Sequence, residues 1–395
     1  MNGISLKGTT ERDKKNMNRR TFLEVTGLVA AGAISEFQPA IAATPDKNAG
    51  TRKPTRVLDS EEYTRLRIQT VKPSMTFKAQ SPAQARDWQK RTRKKLIEQL
   101  MGQFPEKIDL APETVERREF DRYTREKILF QSRDNLTVKA YFLLPKSFRA
   151  PGRCMICLPG HGRGVDDIVG IEENGAMRSA YSGYQKDFAL QCTDRGIAAL
   201  AIEQLAFGER RDERARKAGA EKSSCDQATT VAFMLGETMI GWRVWDVIRA
   251  IDYLETRKEI DPRRIGAMGI SGGGTATFWS ACVEPRIKVA YVSGYFCRFD
   301  HCILAVPHCV DNYIPGIYRL GDMPEFSGLI APRPLFAESG TKDNIFLIDG
   351  VKAAVARARE IYKVFKADDR IDAEFFEGEH QFHGIGGFQF VEKRL

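Results

Sequence analysis

The sequence predicts an α/β protein: a mostly parallel central sheet with helices on both faces, an antiparallel first hairpin and an N-terminal helical extension. Three observations carry this. The runs "EKILFQS" and "LTVKAYFLLP" alternate apolar and polar residues and are separated by "RDN", as in an antiparallel hairpin. Short apolar runs follow, "RCMICLPG", "IAALAIEQ", "RIGAMGIS", "KVAYVSG", "PLFAESG" and "DAEFFEG", as expected of strands buried on both faces. Helical stretches separate them, and strands alternating with helices imply a parallel sheet with right-handed crossovers.

The helical stretches are "YQKDFALQCTDRG", the long "TTVAFMLGETMIGWRVWDVIRAIDYLETRKE", "GGTATFWSACVE" and "GVKAAVARAREIYKVFKAD". Ahead of the hairpin, Pro82 to Phe104 reads as an amphipathic helix. Trp88, Leu96, Ile97, Leu100 and Phe104 recur at helical spacing, and Ser81 before Pro82 is a cap signal. This helix is expected to pack on the main domain. Residues 43–80 are polar and rich in Pro and Lys, and read as an extended arm. Between "KVAYVSG" and "PLFAESG" lies a stretch rich in Tyr, Phe and Pro, expected to form a lid or pocket wall.

With 395 residues and 42% hydrophobic content, the chain can bury one large core. Lys and Arg number 61 against 52 acids, a net charge of +9. The basic residues are dispersed and often sit beside acids, so no nucleic-acid-binding face is expected. "MNRRTFLEVTGLVAAGAISEFQPAIAA" pairs Arg19 with Arg20, then has a short apolar core and the small-residue site "AIA" at 40–42. That is the layout of a secretory signal, and the arginine pair resembles a twin-arginine signal. Met17 opens a complete signal by itself, so either Met1 or Met17 serves as a start. The expected division is a signal at 1–42, an arm and helical cap at 43–124, and a catalytic domain at 125–395. The apolar core is too short to span a bilayer. A periplasmic or secreted protein is expected, with the export machinery as partner and no stable membrane insertion after cleavage.

Cys154 and Cys157 form a C-x-x-C within an apolar run. A separation of three places them on opposite faces of a strand, so core packing is expected rather than a redox or metal site. "HCILAVPHC" repeats His-Cys at 301–302 and 308–309. A packed or disulfide-stapled loop is expected there, and no metal or cofactor.

Residues 269–275, "GISGGGT", follow the strand candidate "RIGAM" and precede an alanine-containing helix. G-x-S-x-G in a strand-to-helix context is a nucleophile elbow. The serine is forced into a strained conformation, and glycines two residues away remove the clash. Ser271 is therefore the candidate nucleophile. A hydroxyl needs a base. His380 and His383, in "GEHQFHG" after the last strand candidate, are the candidates, with His380 preferred and His383 the alternative. His301 and His308 precede the candidate acid and fit the order Ser, acid, His poorly. Asp343, after "GTK", is the candidate acid that orients the imidazole. Asp349 reads as a helix cap and Glu338 as a strand residue. The glycine-rich "LPGHGRG" offers backbone donors for an oxyanion, with the N–H of His161 paired with that of Gly272. The His161 imidazole is not expected to take part.

"LPGHG", "GISGGG", "GTKDN" and "GEHQFHG" occur in this order over residues 125–395. They resemble an α/β-hydrolase of the branch holding acetyl xylan esterases and dienelactone hydrolases. "CVDNYIPGIYRLGDMPEFSGLIAPRPLF" (309–336) resembles a subfamily of exported bacterial members. The resemblance implies a Ser271–Asp343–His380 triad and ester hydrolysis without a cofactor, on a small-molecule or carbohydrate ester such as acetylated polysaccharide. Dienelactone hydrolases proper have cysteine at the elbow, where this chain has serine. The cysteine-serine-arginine elbow of glucuronoyl esterases is also absent. "AIEQLAFGERRDE" stands where related esterases have an Asp-x-Arg-Gly turn, which Gly208 and Arg210 match only loosely. A peptidase or amidase with the same triad, and a non-catalytic binding protein on the same fold, are the alternatives. For the first, prolyl-peptidase relatives usually have an aromatic after the serine and a preceding propeller domain, and neither appears in this chain; the second would ordinarily have lost a triad member, and candidates for all three are present.

Overall fold

The computed structural model describes residues 56–395. The expected signal at 1–42 lies outside these residues. Among the described residues no helix is long and apolar enough to cross a membrane.

A single nine-stranded sheet organises the fold, in the order β1-β2-β3-β5-β4-β6-β7-β8-β9. The strands are β1 (Glu113–Glu119), β2 (Tyr123–Arg133), β3 (Leu136–Pro145), β4 (Gly152–Leu158), β5 (Ala198–Ile202), β6 (Ile260–Ile270), β7 (Ala290–Ser293), β8 (Leu335–Gly340) and β9 (Ile371–Phe376). β1, β2, β3 and β5 pair antiparallel in turn. β5, β4, β6, β7, β8 and β9 run parallel. Every expected strand is present. β1 is additional, so the sheet begins before residue 125, where the catalytic domain was expected to start. β1 reads "ETVERRE" and is exposed along nearly its whole length. A charged edge strand has no buried face, and so no apolar alternation to betray it.

The helices are α1 (Ser60–Gln69), α2 (Pro82–Met101), α3 (Phe188–Asp194), α4 (Glu213–Ala218), α5 (Cys225–Met234), α6 (Met239–Thr256), α7 (Gly272–Val283), α8 (Ile348–Val364) and α9 (Ile385–Arg394). Two expectations need correction. Residues 60–69, within the stretch read as an extended arm, are helical; α1 has no buried face and so no apolar stripe to reveal it. The long helix expected from Thr229 onward is two helices, α5 and α6. It breaks at Gly236, whose φ is +74°, and α6 restarts at Thr238, whose hydroxyl caps the Gly241 N–H at 2.9 Å.

The two faces of the sheet bury separate cores, as period-two side-chain alternation requires. On β4, Cys154, Ile156 and Leu158 face one core with α2, α6, α7 and α8. Met155 and Cys157 face the other, with α3 and α9. The C-x-x-C thus splits across the sheet, both thiols fully buried. Residues 299–329 form short helical turns whose Ile303, Ile314, Met323 and Phe326 join the larger core, making this stretch a wall. All cysteines are free thiols, so no disulfide staples "HCILAVPHC".

α2 is seated by Trp88, which is 5% exposed. Its ring meets Phe77 edge-on at 5.0 Å, and its Nε1 donates to the Met75 carbonyl at 2.9 Å. Truncating a buried aromatic removes the transfer term and leaves a cavity. Trp88→Ala is therefore expected to lower the unfolding free energy by about 3–5 kcal/mol, read from the denaturant midpoint. A shift below about 0.5 kcal/mol, the range of surface substitutions, would show α2 to be peripheral.

Candidate active site

β6 ends at Ile270 and α7 begins at Gly272. Ser271 between them has φ +57° and ψ −122°, a region where non-glycine residues are strained. Close packing enforces this. A Cβ on Gly269 would lie 2.5 Å from the Gly273 carbonyl oxygen, and one on Gly273 would collide with the Leu158 carbonyl of β4. The Ser271 N–H donates to the Ser293 carbonyl of β7 at 3.1 Å, and its carbonyl accepts from Thr275 N in the first turn of α7 at 2.8 Å. The side chain is thereby raised at the carboxyl edge of the sheet, half-exposed.

Asp343 follows β8, and His380 follows β9. The two loops are zipped together, Thr341 N to Phe376 O and Lys342 N to Gly378 O, both at 2.8 Å. Asp343 Oδ2 lies 2.7 Å from His380 Nδ1, while Oδ1 accepts from Ile345 N and Phe346 N, each at 3.0 Å. The His380 ring lies between Phe346 and Tyr184, with centroids 5.6 and 6.1 Å away and interplanar angles of 21° and 24°. Its edge covers Gly294, where a Cβ would be 2.8 Å from His380 Cε1. Gly294 directly follows Ser293, the acceptor of the Ser271 N–H. His380 Nε2 is buried and has no hydrogen-bond partner among the described residues, Ser271 included.

His383 is placed elsewhere. Its Nδ1 lies 3.1 Å from Glu374, and its ring stacks on Phe376 at 4.5 Å. Its backbone N–H donates to Glu338. Glu338 lies on β8, as expected, with a role the sequence did not signal. It is 2% exposed and accepts from Tyr291 Oη, Ser293 Oγ, His383 N and Gly384 N at 2.6–3.0 Å. Burial pushes its carboxyl upward despite these four donors. Glu338 thus ties the His380 loop to β7.

The loop after β4 is held at several points. Gly160 N donates to Gln185 Oε1 at 2.7 Å, Arg163 N to Asp167 Oδ2 at 2.8 Å and Val165 N to Glu203 Oε1 at 2.9 Å. The Tyr184 hydroxyl donates to the His161 carbonyl. The His161 N–H donates to no described group, and the first N–H of α7, on Gly272, has no partner within the helix. Glu203 is fully buried; burial pushes its carboxyl up to about 7 against the pull of Lys139.

The His161 side chain covers the elbow. A Cβ on Gly272 would lie 3.2 Å from both Cε1 and Nδ1 of the ring. His161 Nε2 is 3.3 Å from Asp311 Oδ2, which also accepts from Arg243 Nη1 at 2.6 Å and from Cys225 Sγ at 3.2 Å. Burial opposes charge on His161, but Asp311 outweighs it and raises the imidazole to about 9. Asp311 itself, despite burial, is held well below the usual carboxylate range by Arg243 and His161. His161, Cys225, Cys309 and Asp311 bring their donor atoms within 4.8 Å of one another, a set with the chemistry of a metal site. Glu338, Glu374 and His383 also cluster, but Glu338 is already saturated with donors. No spacing motif links residues 161, 225, 309 and 311, so sequence reading missed this group. The two His-Cys pairs flagged only one of its members.

The other candidates fall as follows. Asp349 lies in the first turn of α8, although Leu347 occupies the cap position. His301 Nδ1 is 2.8 Å from Asp300. His308 packs on Phe346 at 5.1 Å, and burial lowers its basicity. Arg210 pairs with Asp246 at 2.7 Å and donates to the Glu203 carbonyl, so the "GERRDE" turn braces β5 against α6.

Comparison with known proteins agrees with this architecture. The chain is 27% identical over 279 residues to "Putative hydrolase YtaP" of Bacillus subtilis (strain 168), covering 68% of this chain and 87% of that one. The fold matches the crystal structure of a "putative acetyl xylan esterase" (BF1801) from Bacteroides fragilis NCTC 9343. Its TM-score is 0.70 at 20% identity, covering 83% of this chain and 84% of that one. A glucuronoyl esterase from Solibacter usitatus matches with a TM-score of 0.60 at 16% identity, covering 82% and 96%. These likenesses are those of the α/β-hydrolase fold. The profile described as "Abhydrolase family" matches residues 45–373, and the chain belongs to that family.

Proposed function

We propose that this protein is a serine esterase that cleaves carboxylic esters through Ser271, His380 and Asp343, with acetyl esters of carbohydrates as the substrate class. The observation that carries the reading is the 2.7 Å contact between Asp343 and His380, with the ring lying over the residue next to the Ser271 anchor. Asp343 accepts a hydrogen bond from Nδ1–H, which leaves Nε2 as the basic nitrogen. On substrate binding, Nε2 takes the Ser271 proton as Oγ attacks the ester carbonyl. The N–H groups of His161 and Gly272 receive the developing oxyanion. His380 then returns the proton to the leaving alcohol, and the acyl group remains on Oγ. Water, deprotonated by the same nitrogen, releases the carboxylic acid and restores the serine. The carbohydrate substrate is supported by the named acetyl xylan and glucuronoyl esterases among the fold neighbours. Export through residues 1–42, to the periplasm or beyond, is part of the same proposal.

Four outcomes are expected. Ser271→Ala lowers kcat on a short-chain aryl acetate by about 10⁴-fold or more; full retention of activity would sink the proposal. Asp343→Asn, which strands the imidazole in the wrong tautomer, lowers it by about 10⁴-fold, while His383→Ala stays within about tenfold, too little for loss of a general base. Turnover of aminoacyl amides above that of acetyl esters would favour an amidase instead. For export, replacing Arg19 and Arg20 by lysine leaves the chain in the cytoplasm of a fractionated bacterial host; unchanged export would refute the twin-arginine reading.

A further inference from the structure

We propose that His161, Cys225, Cys309 and Asp311 bind a single zinc ion that staples the loop after β4 to α5 and to the wall between β7 and β8. The site itself is independent of the esterase reading; only its bearing on the His161 N–H as an oxyanion donor rests on that reading.

The donors come from separate segments: the loop after β4, the first turn of α5, and the chain around 309–311. All four donor atoms lie within 4.8 Å of one another, close enough to converge on one cation with small side-chain shifts. His161 Nε2 to Asp311 Oδ2 is 3.3 Å, Cys225 Sγ to Asp311 Oδ2 is 3.2 Å and Cys225 Sγ to His161 Nε2 is 4.0 Å. Bonds of about 2.0–2.3 Å in a tetrahedron place such donors about 3.3–3.8 Å apart. Both cysteines are free thiols although their sulfurs are close neighbours. Two sulfurs, an imidazole and a carboxylate form a closed four-ligand set, which favours zinc in a structural role over calcium or magnesium.

Arg243 decides the charge balance. Its side chain is 3% exposed and that of Asp311 is 1% exposed. It donates to Asp311 Oδ2 at 2.6 Å, to Cys225 Sγ at 3.4 Å and to the Leu205 carbonyl at 2.8 Å. Two thiolates and one carboxylate carry three negative charges; a divalent cation and Arg243 balance them, so the buried group is neutral. Arg243 therefore occupies an outer position, hydrogen-bonding the ligands. Asn312 completes that shell, donating to Asp311 Oδ1 at 3.0 Å and accepting from Thr275 Oγ1 of α7 at 2.7 Å. Zinc would thus lock the His161 backbone N–H to the elbow helix.

The test uses the full chain, stripped with chelator under reducing conditions, dialysed against zinc sulfate and then against buffer, with bound metal measured by atomic emission. About one zinc per chain is expected in the wild type and in Ser271→Ala, together with a higher Tm on zinc addition, because metal bound only by the folded state stabilises it. Cys225→Ser/Cys309→Ser is expected to lose both. Should that variant fail to fold by circular dichroism, Cys309→Ser alone, at the half-exposed position, carries the test. Cobalt replaces zinc as a second readout: thiolate charge-transfer absorption is expected in the wild type and lost in Cys309→Ser. Background zinc in the folded wild type with both thiols titratable, or a Cys225–Cys309 disulfide in the protein as purified, would overturn the proposal. Because Ser271→Ala is expected to retain zinc, failure of the hydrolytic reading is distinguishable from failure of the metal site.

Discussion

A serine held at φ +57° between β6 and α7 is the constraint to which the rest of the site conforms. Such a conformation persists only where its surroundings over-determine it. Here they do so from three sides. β4 leaves no room for side chains at 269 or 273, β7 accepts the Ser271 N–H, and α7 draws the Ser271 carbonyl into its first turn. The backbone is thus forced to place a hydroxyl above the sheet edge, with an unpaired helix N-terminus directly behind it. Negative charge placed there would meet the N-terminal end of the helix dipole.

Buried carboxylates join the aromatic and apolar contacts in positioning the neighbouring loops. Glu338 pins the loop carrying His380 and His383, Glu203 pins Val165, and Asp311 gathers His161, Cys225 and Arg243. Burying an acid is costly unless donors surround it. Glu338 and Asp311 meet that condition by drawing on donors from segments far apart in the chain, whereas Glu203 accepts from Val165 N through Oε1 and has Lys139 Nζ 3.8 Å from Oε2. The consequence is geometric. A carboxylate with several fixed donors holds loops in register at the edge of the sheet. Solved structures named as a putative acetyl xylan esterase and a glucuronoyl esterase share the scaffold.

The legibility of the sequence followed burial. Strands buried on both faces, such as β4, β6 and β7, announce themselves as continuous apolar runs. The edge strand β1 and helix α1 do not, because neither buries a face. The break between α5 and α6 was invisible because apolar periodicity continues through it, although Gly236 and Thr238 mark it in retrospect. Ser271, Asp343 and His380 each follow a strand closely, and that local order in the chain is what made them candidates. Tyr184, Glu338 and Arg243 touch the site from elements whose local sequence is ordinary.

Sequence alone determined the alternation of strand and helix, the serine on its glycine-flanked turn, and the order serine, acid, histidine. Those properties are written in local composition and spacing, because a tight turn needs its small neighbours in the adjacent positions. Tertiary structure alone decided which histidine meets Asp343, since His380 and His383 differ by a single turn of chain and only the pairing of the β8 and β9 loops separates them. It likewise brought residues 161, 225, 309 and 311 together. Contacts between distant segments depend on how the sheet closes and which loops share its carboxyl edge, and no window of sequence contains that information.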